Sequence, residues 1–195
     1  SKRPAVACDF QWQADVKAYQ EVLLSMLRFP KPIITALNGP ARGTAAGLVL
    51  ASDLVIASKS ASIGFPEVRL GLVAGVSAPL LRFRLGAAHA ARLLLGGRPV
   101  SAQQLLQQGL VSELVDDDLV WARAHEIAQE MEETSPEAIT KTKRLSNEIL
   151  GESLETEMSV GAALMATART IESAQQVLEK LRSKWIVRAE NATHV

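Results

Sequence analysis

Cysteine, aromatic residues and net charge are all scarce in this chain. Cys8 is the single cysteine among 195 residues, which excludes an internal disulfide framework and favours a reducing compartment. Lysine plus arginine equals aspartate plus glutamate, at 21 each. A protein that binds a polyanion along its whole length normally has a basic excess, so nucleic acid is not an expected partner.

Metal ligands and long apolar runs are also missing. The three histidines, His89, His125 and His194, lie far apart and show no ligand spacing, so no metal site is expected. No apolar run reaches the ~18 residues of a membrane span, because Ser52 and Asp53 interrupt the longest one. Hydrophobic residues still make up 48% of the chain, enough for a sizeable buried core.

The hydrophobic periodicity predicts alternating strands and helices in the first two thirds of the chain. Segment 71–85 is ambiguous, with Pro79 suited to the first turn of a helix that runs to Arg84. Alternation of this kind favours an α/β fold with a largely parallel sheet. The predicted strands are 32–38, 53–57, 62–64 and 111–115, and the predicted helices are 15–29, 44–52, 87–95, 101–108 and 119–134.

The pattern changes near Thr134. Three helical stretches follow, at 136–150, 154–168 and 171–183, with no strand signal between them. We therefore divide the chain into an α/β region, residues 1–134, and an all-helical region, residues 135–195.

A glycine-rich turn lies between the first predicted strand and the helix that follows it, in the sequence Asn38-Gly-Pro-Ala-Arg-Gly-Thr-Ala-Ala-Gly47. A strand that leaves such a turn as a helix presents free backbone N–H groups at the helix N-terminus. Gly43 and the N–H of Thr44 are suited to binding an anion or an oxygen on which negative charge develops. A tight turn that needs glycine only for steric reasons is the alternative.

Glu67 has apolar neighbours in the sequence Gly64-Phe-Pro-Glu-Val-Arg-Leu70. A carboxylate in apolar surroundings has a raised pKa, which suits a general acid or base near neutral pH. A solvated glutamate in a surface loop is the alternative. Ser62 and Ser77 lack the nucleophile-elbow pattern, and no Gly-Lys-Ser/Thr completes a phosphate-binding loop.

Taken in order, several blocks resemble the crotonase family, the enoyl-CoA hydratase/isomerase superfamily. Each block is weakly specific alone, but their order and spacing match over roughly residues 15–185. The blocks are Lys-Pro-Ile-Ile with Asn-Gly-Pro-Ala in 31–41, Asp-Leu-Val-Ile-Ala in 53–57, 64–71 around Glu67, 95–102, Gly-Leu-Val in 109–111, and Leu-Glu-Lys to Trp in 178–185.

The resemblance implies a core of ββα units wound as a spiral and a C-terminal helical region used for trimerisation, often as a dimer of trimers. Substrates are acyl-CoA thioesters, and no cofactor is needed beyond the CoA of the substrate. It implies catalytic roles for Glu67 as acid/base, the Thr44 N–H as an oxyanion donor and Gly75 as a glycine facing the site. The implied substrate-binding residues are Gly43, Gly47, Pro66, Leu70 and Lys180. Of these, Lys180 is expected to reach the phosphates of a CoA bound to a neighbouring subunit.

Two departures from the family pattern bear on function. The first acid of the hydratases falls on Gly47, so that carboxylate is missing, and the usual Gly-Gly-Gly of the turn is Gly43-Thr44-Ala45. The family's N-terminal strands and its other oxyanion donor are expected before Ser1, so the chain matches about two thirds of a member.

One carboxylate suffices to move a proton between C2 and C4 of an enoyl thioester, whereas hydration is helped by two. The resemblance and Gly47 together favour double-bond isomerisation. The alternatives are an enoyl-CoA hydratase with a weakened water site, a non-catalytic acyl-CoA-binding homologue, or an RNA-binding relative. The expected compartment is the cytoplasm, or the mitochondrial matrix in a eukaryote.

Overall fold

The computed structural model describes residues 5–148, 151–170, 172 and 174–180. Its strands are β1 (Ile34–Leu37), β2 (Pro40–Arg42), β3 (Leu54–Ser58), β4 (Ser62–Gly64), β5 (Val100–Ser101) and β6 (Glu113–Val115). Its helices are α1 (Ala5–Arg28), α2 (Thr44–Ala51), α3 (Ser77–Gly96), α4 (Ala102–Gln107), α5 (Val120–Glu132), α6 (Pro136–Glu148) and α7 (Gly151–Ala168), with a 3-10 helix at Pro66–Leu70.

Two small sheets form the centre of the fold. The first has the order β1-β3-β6 with all pairs parallel, as the alternating sequence pattern predicted. The second has the order β2-β4-β5, in which β2 and β4 are parallel and β4 and β5 antiparallel. Strands β2 and β5 were not predicted: β2 lies inside the segment interpreted as a glycine-rich turn, and the two residues of β5 are too few to show a period of two.

The predicted helices form, with some different ends. Helix α1 begins at Ala5, ten residues before the predicted start at residue 15. The ambiguous segment contains a loop and then α3, with Pro79 in its first turn. Helix α3 is broken at Gly86, where φ is 75° and ψ is 167°, so it consists of two helical segments that match the predicted helix to Arg84 and the predicted helix 87–95.

Helix α7 shares the core of the α/β region. Helix α7 packs against α1 and α3, and its buried Leu154, Met158 and Met165 belong to the same hydrophobic cluster as Val16 and Leu23 of α1. The boundary near residue 134 therefore marks a change in secondary structure and not a second core. Of the predicted helix 171–183, residues 172 and 174–180 are helical; the rest, like Trp185, lies outside the described residues.

A buried ion pair fastens α6 to the sheet. Nζ of Lys143, which is 8% exposed, lies 2.7 Å from Oδ2 of Asp53 and also donates to the carbonyls of Met26 and Lys31. The same Oδ2 accepts a 2.7 Å bond from the backbone N–H of Ile33. Because each buried charge has several partners, the pair holds the start of β3 and helix α6 together.

Neither a membrane span nor a metal centre is found in the part of the chain that the structure describes. None of the described helices combines the length and apolar composition that a bilayer crossing requires. The described residues also contain no group of three or more His, Cys, Asp or Glu side chains arranged to hold a metal ion.

The loop before α3 crosses α7 at a contact between two glycines. A β-carbon built at Gly75 would lie 1.8 Å from the carbonyl oxygen of Gly161, and one built at Gly161 would lie 2.0 Å from the carbonyl oxygen of Gly75. Both obstacles are backbone atoms, so neither position has room for a side chain unless α7 moves. Gly75 is thus required for packing, whatever its part in catalysis.

We expect Gly75→Ala to lower the free energy of unfolding by at least about 2 kcal/mol, because the added methyl group overpacks a backbone contact. Gly96→Ala is the matched control, since a β-carbon there has no atom within 4 Å and loss of glycine flexibility is neutral or stabilising. Urea unfolding of both variants measures the difference. Equal stability of the two variants would contradict the glycine crossing.

Candidate active site

The parallel pairing of β2 with β4 brings the glycine turn and the glutamate together. Residues Pro40, Ala41 and Arg42 pair with Ser62, Ile63 and Gly64, and the N–H of Gly43 extends the ladder with a 2.9 Å bond to the carbonyl of Gly64. Both strands end at the same edge, where α2 starts at Thr44 and the 3-10 helix starts at Pro66. The two segments singled out in the sequence are therefore neighbours in space.

Gly43 has the special backbone geometry of this turn. Its φ is 57° and its ψ is −122°, a conformation that strains residues with a β-carbon. No non-glycine residue in the described chain has a positive φ, so Thr44 and Ala45 need none. This explains how the turn keeps its shape with one glycine where the family pattern has three.

Helix α2 presents unbonded N–H groups towards the turn. Its first intrahelical bond runs from the N–H of Gly47 to the carbonyl of Gly43 and is 3.1 Å long. The N–H groups of Thr44, Ala45 and Ala46 come before it and have no partner within the helix. Since α2 follows directly on Gly43 without a side-chain cap, its N-terminus is suited to an anion or a developing oxyanion.

Glu67 faces this N-terminus from the 3-10 helix. A β-carbon built at Gly43 would lie 3.0 Å from Oε1 of Glu67, so the carboxylate sits against the turn and a side chain at 43 would press on it. Oε2 of Glu67 is buried and has no hydrogen-bond partner among the residues described. Such a buried, unpartnered oxygen costs stability, and this arrangement is typical of functional sites.

Burial raises the pKa of the Glu67 carboxyl above its usual value, and a hydrogen bond from its own backbone N–H opposes this more weakly. The direction agrees with the expectation from its apolar sequence neighbours. Pro66 and Leu70, both half-buried, begin and end the 3-10 helix that carries Glu67. Their predicted role in binding substrate stays a prediction.

Tyr19 and Ser77 complete the cluster, and neither was predicted as a residue of the site. A β-carbon at Gly47 would lie 1.7 Å from the hydroxyl of Tyr19 and 2.7 Å from Oγ of Ser77. The two hydroxyls are 2.7 Å apart, and the Tyr19 hydroxyl also donates to the carbonyl of Thr44 at 3.3 Å. Tyr19 falls within the predicted helix 15–29, and no local signal in the sequence distinguishes it.

Gly75 and Lys180 are the two other predicted site residues, and their roles stay predictions. Gly75 is buried at the crossing with Gly161, two residues before Ser77. Lys180 is exposed in the helical segment 174–180, and its reach to CoA phosphates on a neighbouring subunit stays a prediction.

The site thus combines a helix N-terminus, a carboxyl group of raised pKa and a hydrogen-bonded pair of hydroxyls, from half-buried Tyr19 and buried Ser77. A helix N-terminus stabilises negative charge that develops on an oxygen. A carboxyl of raised pKa gains and loses a proton closer to neutral pH than a solvated one. Together they suit removal of a proton next to a carbonyl group, with the resulting enolate oxygen held by backbone N–H groups.

The family of the chain follows from comparison with known proteins. A sequence model described as enoyl-CoA hydratase/isomerase matches residues 9–188, nearly the whole chain. The chain therefore belongs to this family, within the crotonase superfamily, and the resemblance drawn from the motif blocks is confirmed.

Curated relatives agree with this assignment. The 2,3-dehydroadipyl-CoA hydratase of Escherichia coli K12 is 35% identical over 157 residues, which cover 78% of this chain and 62% of that protein. The (E)-benzylidenesuccinyl-CoA hydratase of Thauera aromatica is 32% identical over 139 residues, covering 71% of this chain and 54% of that protein. The chain thus spans between half and two thirds of the length of these relatives.

Solved structures show the same fold. An enoyl-CoA hydratase/isomerase from Pseudoalteromonas atlantica T6c superposes with a TM-score of 0.76 at 30% identity, over 83% of this chain and 66% of that one. A carnitinyl-CoA hydratase from Mycobacterium avium gives a TM-score of 0.70 at 31% identity, over 80% and 61%. The predicted α/β, crotonase-like fold is therefore confirmed.

We expect the stability of the protein to depend on the ionisation of Glu67. Because the folded state raises this pKa, folding disfavours the charged form, and stability falls as the pH rises from 4.5 through the raised value. The melting temperature of Glu67→Gln should therefore gain on that of the wild type between pH 4 and pH 8. Exposed Glu132→Gln, in α5, controls for the loss of one charge. If the melting temperatures of the wild type and Glu67→Gln changed in parallel across this range, the burial of Oε2 of Glu67 without a partner would be contradicted.

Proposed function

We propose that this protein acts on acyl-CoA thioesters and moves the double bond of a 3-enoyl thioester to the 2-position. The carboxylate of Glu67 takes a proton from C2, and the electron pair left behind delocalises onto the thioester oxygen as an enolate. The N–H of Thr44, at the start of α2, stabilises that oxygen. Glu67, now protonated, returns the proton at C4, and the double bond forms between C2 and C3.

One observation carries this proposal: the Glu67 carboxylate lies against the Gly43 turn, and its Oε2 is buried without a partner in the described chain. A glutamate that served only the fold would be paired or solvated. The same observation weighs against a non-catalytic acyl-CoA-binding homologue, because a protein without turnover gains nothing from a carboxylate oxygen that is buried without a partner.

The choice of isomerisation rests on the missing first acid. Gly47 has no carboxylate, and its surroundings are filled by the hydroxyls of Tyr19 and Ser77. A proton shuttle needs one acid/base group, and Glu67 alone supplies it. Loss of one of the two carboxylates that position water lowers hydration by ~10²–10⁴-fold.

Hydration of a 2-enoyl thioester is the second candidate. It is favoured by the names of the relatives from Escherichia coli and Thauera aromatica, both called hydratases. In this reaction Glu67 alone would position the water and supply the proton.

The assembly and surroundings are proposed on the same basis. We propose a homotrimer, or a hexamer as a dimer of trimers, in which the helical region 135–195 contributes to the subunit contacts. We propose that no cofactor is needed beyond the CoA of the substrate, and that nucleic acid is not a partner. The proposed compartment is the cytoplasm, or the mitochondrial matrix if the source is eukaryotic.

The direct test replaces the base. Glu67→Gln in the full-length protein should lower kcat for isomerisation of 3-enoyl-CoA at least ~10²-fold, while the Kd for the CoA thioester stays within about threefold, because Gln keeps the volume of the side chain. Glu132→Gln is the matched control. Both products, the 2-enoyl and the 3-hydroxyacyl thioester, are followed in the same assay.

Undiminished turnover in Glu67→Gln would remove Glu67 as the base. Water addition that outpaces double-bond movement in the wild type would replace isomerisation by the second candidate.

The oxyanion turn has its own test. Gly43→Ala should lower kcat/KM by at least about tenfold, because a β-carbon strains the positive φ and presses on Oε1 of Glu67. Thr44→Ala is the matched variant: the Thr44 side chain is exposed, and its backbone N–H survives the change, so kcat/KM should stay within about threefold. An equal loss in both would assign the effect to the Thr44 hydroxyl and contradict the backbone donor.

A further inference from the structure

We infer that Tyr19 is a specificity-determining residue that fills the place of a second carboxylate and keeps the site restricted to proton transfer by Glu67. The inference rests on the proposed function and extends it. It assigns a reason for the glycine at position 47 and names the group that takes the space. Three helices, α1, α2 and α3, contribute Tyr19, Gly47 and Ser77 to it.

Tyr19 and Ser77 leave no room for a side chain at position 47. The β-carbon of any residue at position 47 would overlap the Tyr19 hydroxyl at 1.7 Å and approach the ring carbon that bears it, Cζ, to 2.9 Å. Oγ of Ser77, at 2.7 Å, closes a second side. A carboxylate at position 47 and the tyrosine at position 19 are therefore mutually exclusive in this packing.

The Tyr19 hydroxyl is already engaged in hydrogen bonds with Ser77 and Thr44. Ser77 is 3% exposed and sits at the first position of α3, where it lies 2.7 Å from the phenol oxygen. The single proton of the phenol has two acceptors within reach, Oγ of Ser77 and, at 3.3 Å, the carbonyl of Thr44, so it is engaged whichever of them accepts it. This chain from Ser77 through Tyr19 to Thr44 holds the ring in place and leaves no proton to orient a water molecule.

The phenol of Tyr19 adds no negative charge to the site. Burial raises the pKa of Tyr19 to about 12; the hydrogen bond with Ser77 opposes this rise, and the nearby Glu67 carboxylate adds to it. The phenol is therefore neutral at neutral pH and takes no proton from water there. Its hydrogen bond to the carbonyl of Thr44, the residue that follows Gly43, puts it in the same site as Glu67, whose carboxylate lies against Gly43. Next to Gly47 the site has a bulky neutral group where hydration would be helped by a second anion.

The partition between two reactions tests the inference. Tyr19→Phe keeps the volume of the ring and adds no carboxylate, so the ratio of hydration to isomerisation should stay at the wild-type value. Gly47→Glu alone should lose activity, because its side chain overlaps Tyr19. Tyr19→Ala combined with Gly47→Glu clears the space, and the ratio of hydration to isomerisation should rise at least about tenfold over the wild type. Gly39→Glu, where a β-carbon has no atom within 4 Å, controls for an added carboxylate.

A merely structural role for Tyr19 would lower both rates together and leave the ratio unchanged. That outcome in the folded double variant would overturn the inference. A loss of isomerisation of about 100-fold in Tyr19→Phe, at unchanged thioester affinity, would also overturn it, because the phenol would then take part in the chemistry.

A second measurement does not depend on turnover. Gly47→Ala should lower the melting temperature in the wild type and much less in a Tyr19→Ala background, because the overlap is removed. Tyr19 is also the single tyrosine of the chain, so its absorbance titration is unambiguous, with Tyr19→Phe as the blank. The native phenol should titrate near 12 rather than at its ordinary 10.0. Independent melting effects or an ordinary titration would overturn the placement of the ring.

The two proposals fail in different ways. Failure of the proposed function appears in the wild type and in Glu67→Gln, as absent isomerisation or turnover without Glu67. Failure of the inference appears in the ratio, the melting temperatures and the titration, while the wild type still isomerises through Glu67.

Discussion

The site depends on one backbone interaction, the parallel pairing of β2 with β4, which ends in the 2.9 Å bond from the N–H of Gly43 to the carbonyl of Gly64. This pairing brings two strand ends to the same edge of a small sheet. From that edge one chain segment enters α2 and the other enters the 3-10 helix of Glu67. Without the pairing, the helix N-terminus and the carboxylate would be two unrelated surface features.

The fold accepts two costs at this edge. Gly43 has a φ of 57°, and Oε2 of Glu67 is buried with no partner in the described residues. Packing elsewhere offsets such costs: α7 covers α1 and α3, and the Lys143–Asp53 pair fastens α6 to β3. Helix α7, which shares the hydrophobic core of the site, and α6, tied to β3 by the ion pair, therefore both support it.

Long helices could be predicted because their periodicity extends over many residues. Buried strands could be predicted because turn residues bound a short apolar run. Helix α5 and strands β3 and β4 formed close to where their apolar patterns placed them, and Ser101 caps α4 through a 3.3 Å bond from the N–H of Gln104. Strands β2 and β5 carry no period of their own and exist because a neighbour pairs with them. The break in α3 at Gly86 agrees with the separate helices predicted on its two sides, because a glycine of positive φ interrupts a helix locally.

The sequence by itself determined the chemistry available at the site: a glycine where the turn needs a positive φ, one glutamate among apolar neighbours, and no carboxylate at position 47. These are local properties, carried by residue type and close spacing. Tertiary structure alone decided what surrounds Gly47. Tyr19 and Ser77 lie 58 positions apart and meet only because α1 and α3 both pack against α2, a long-range contact that leaves no trace in any local pattern.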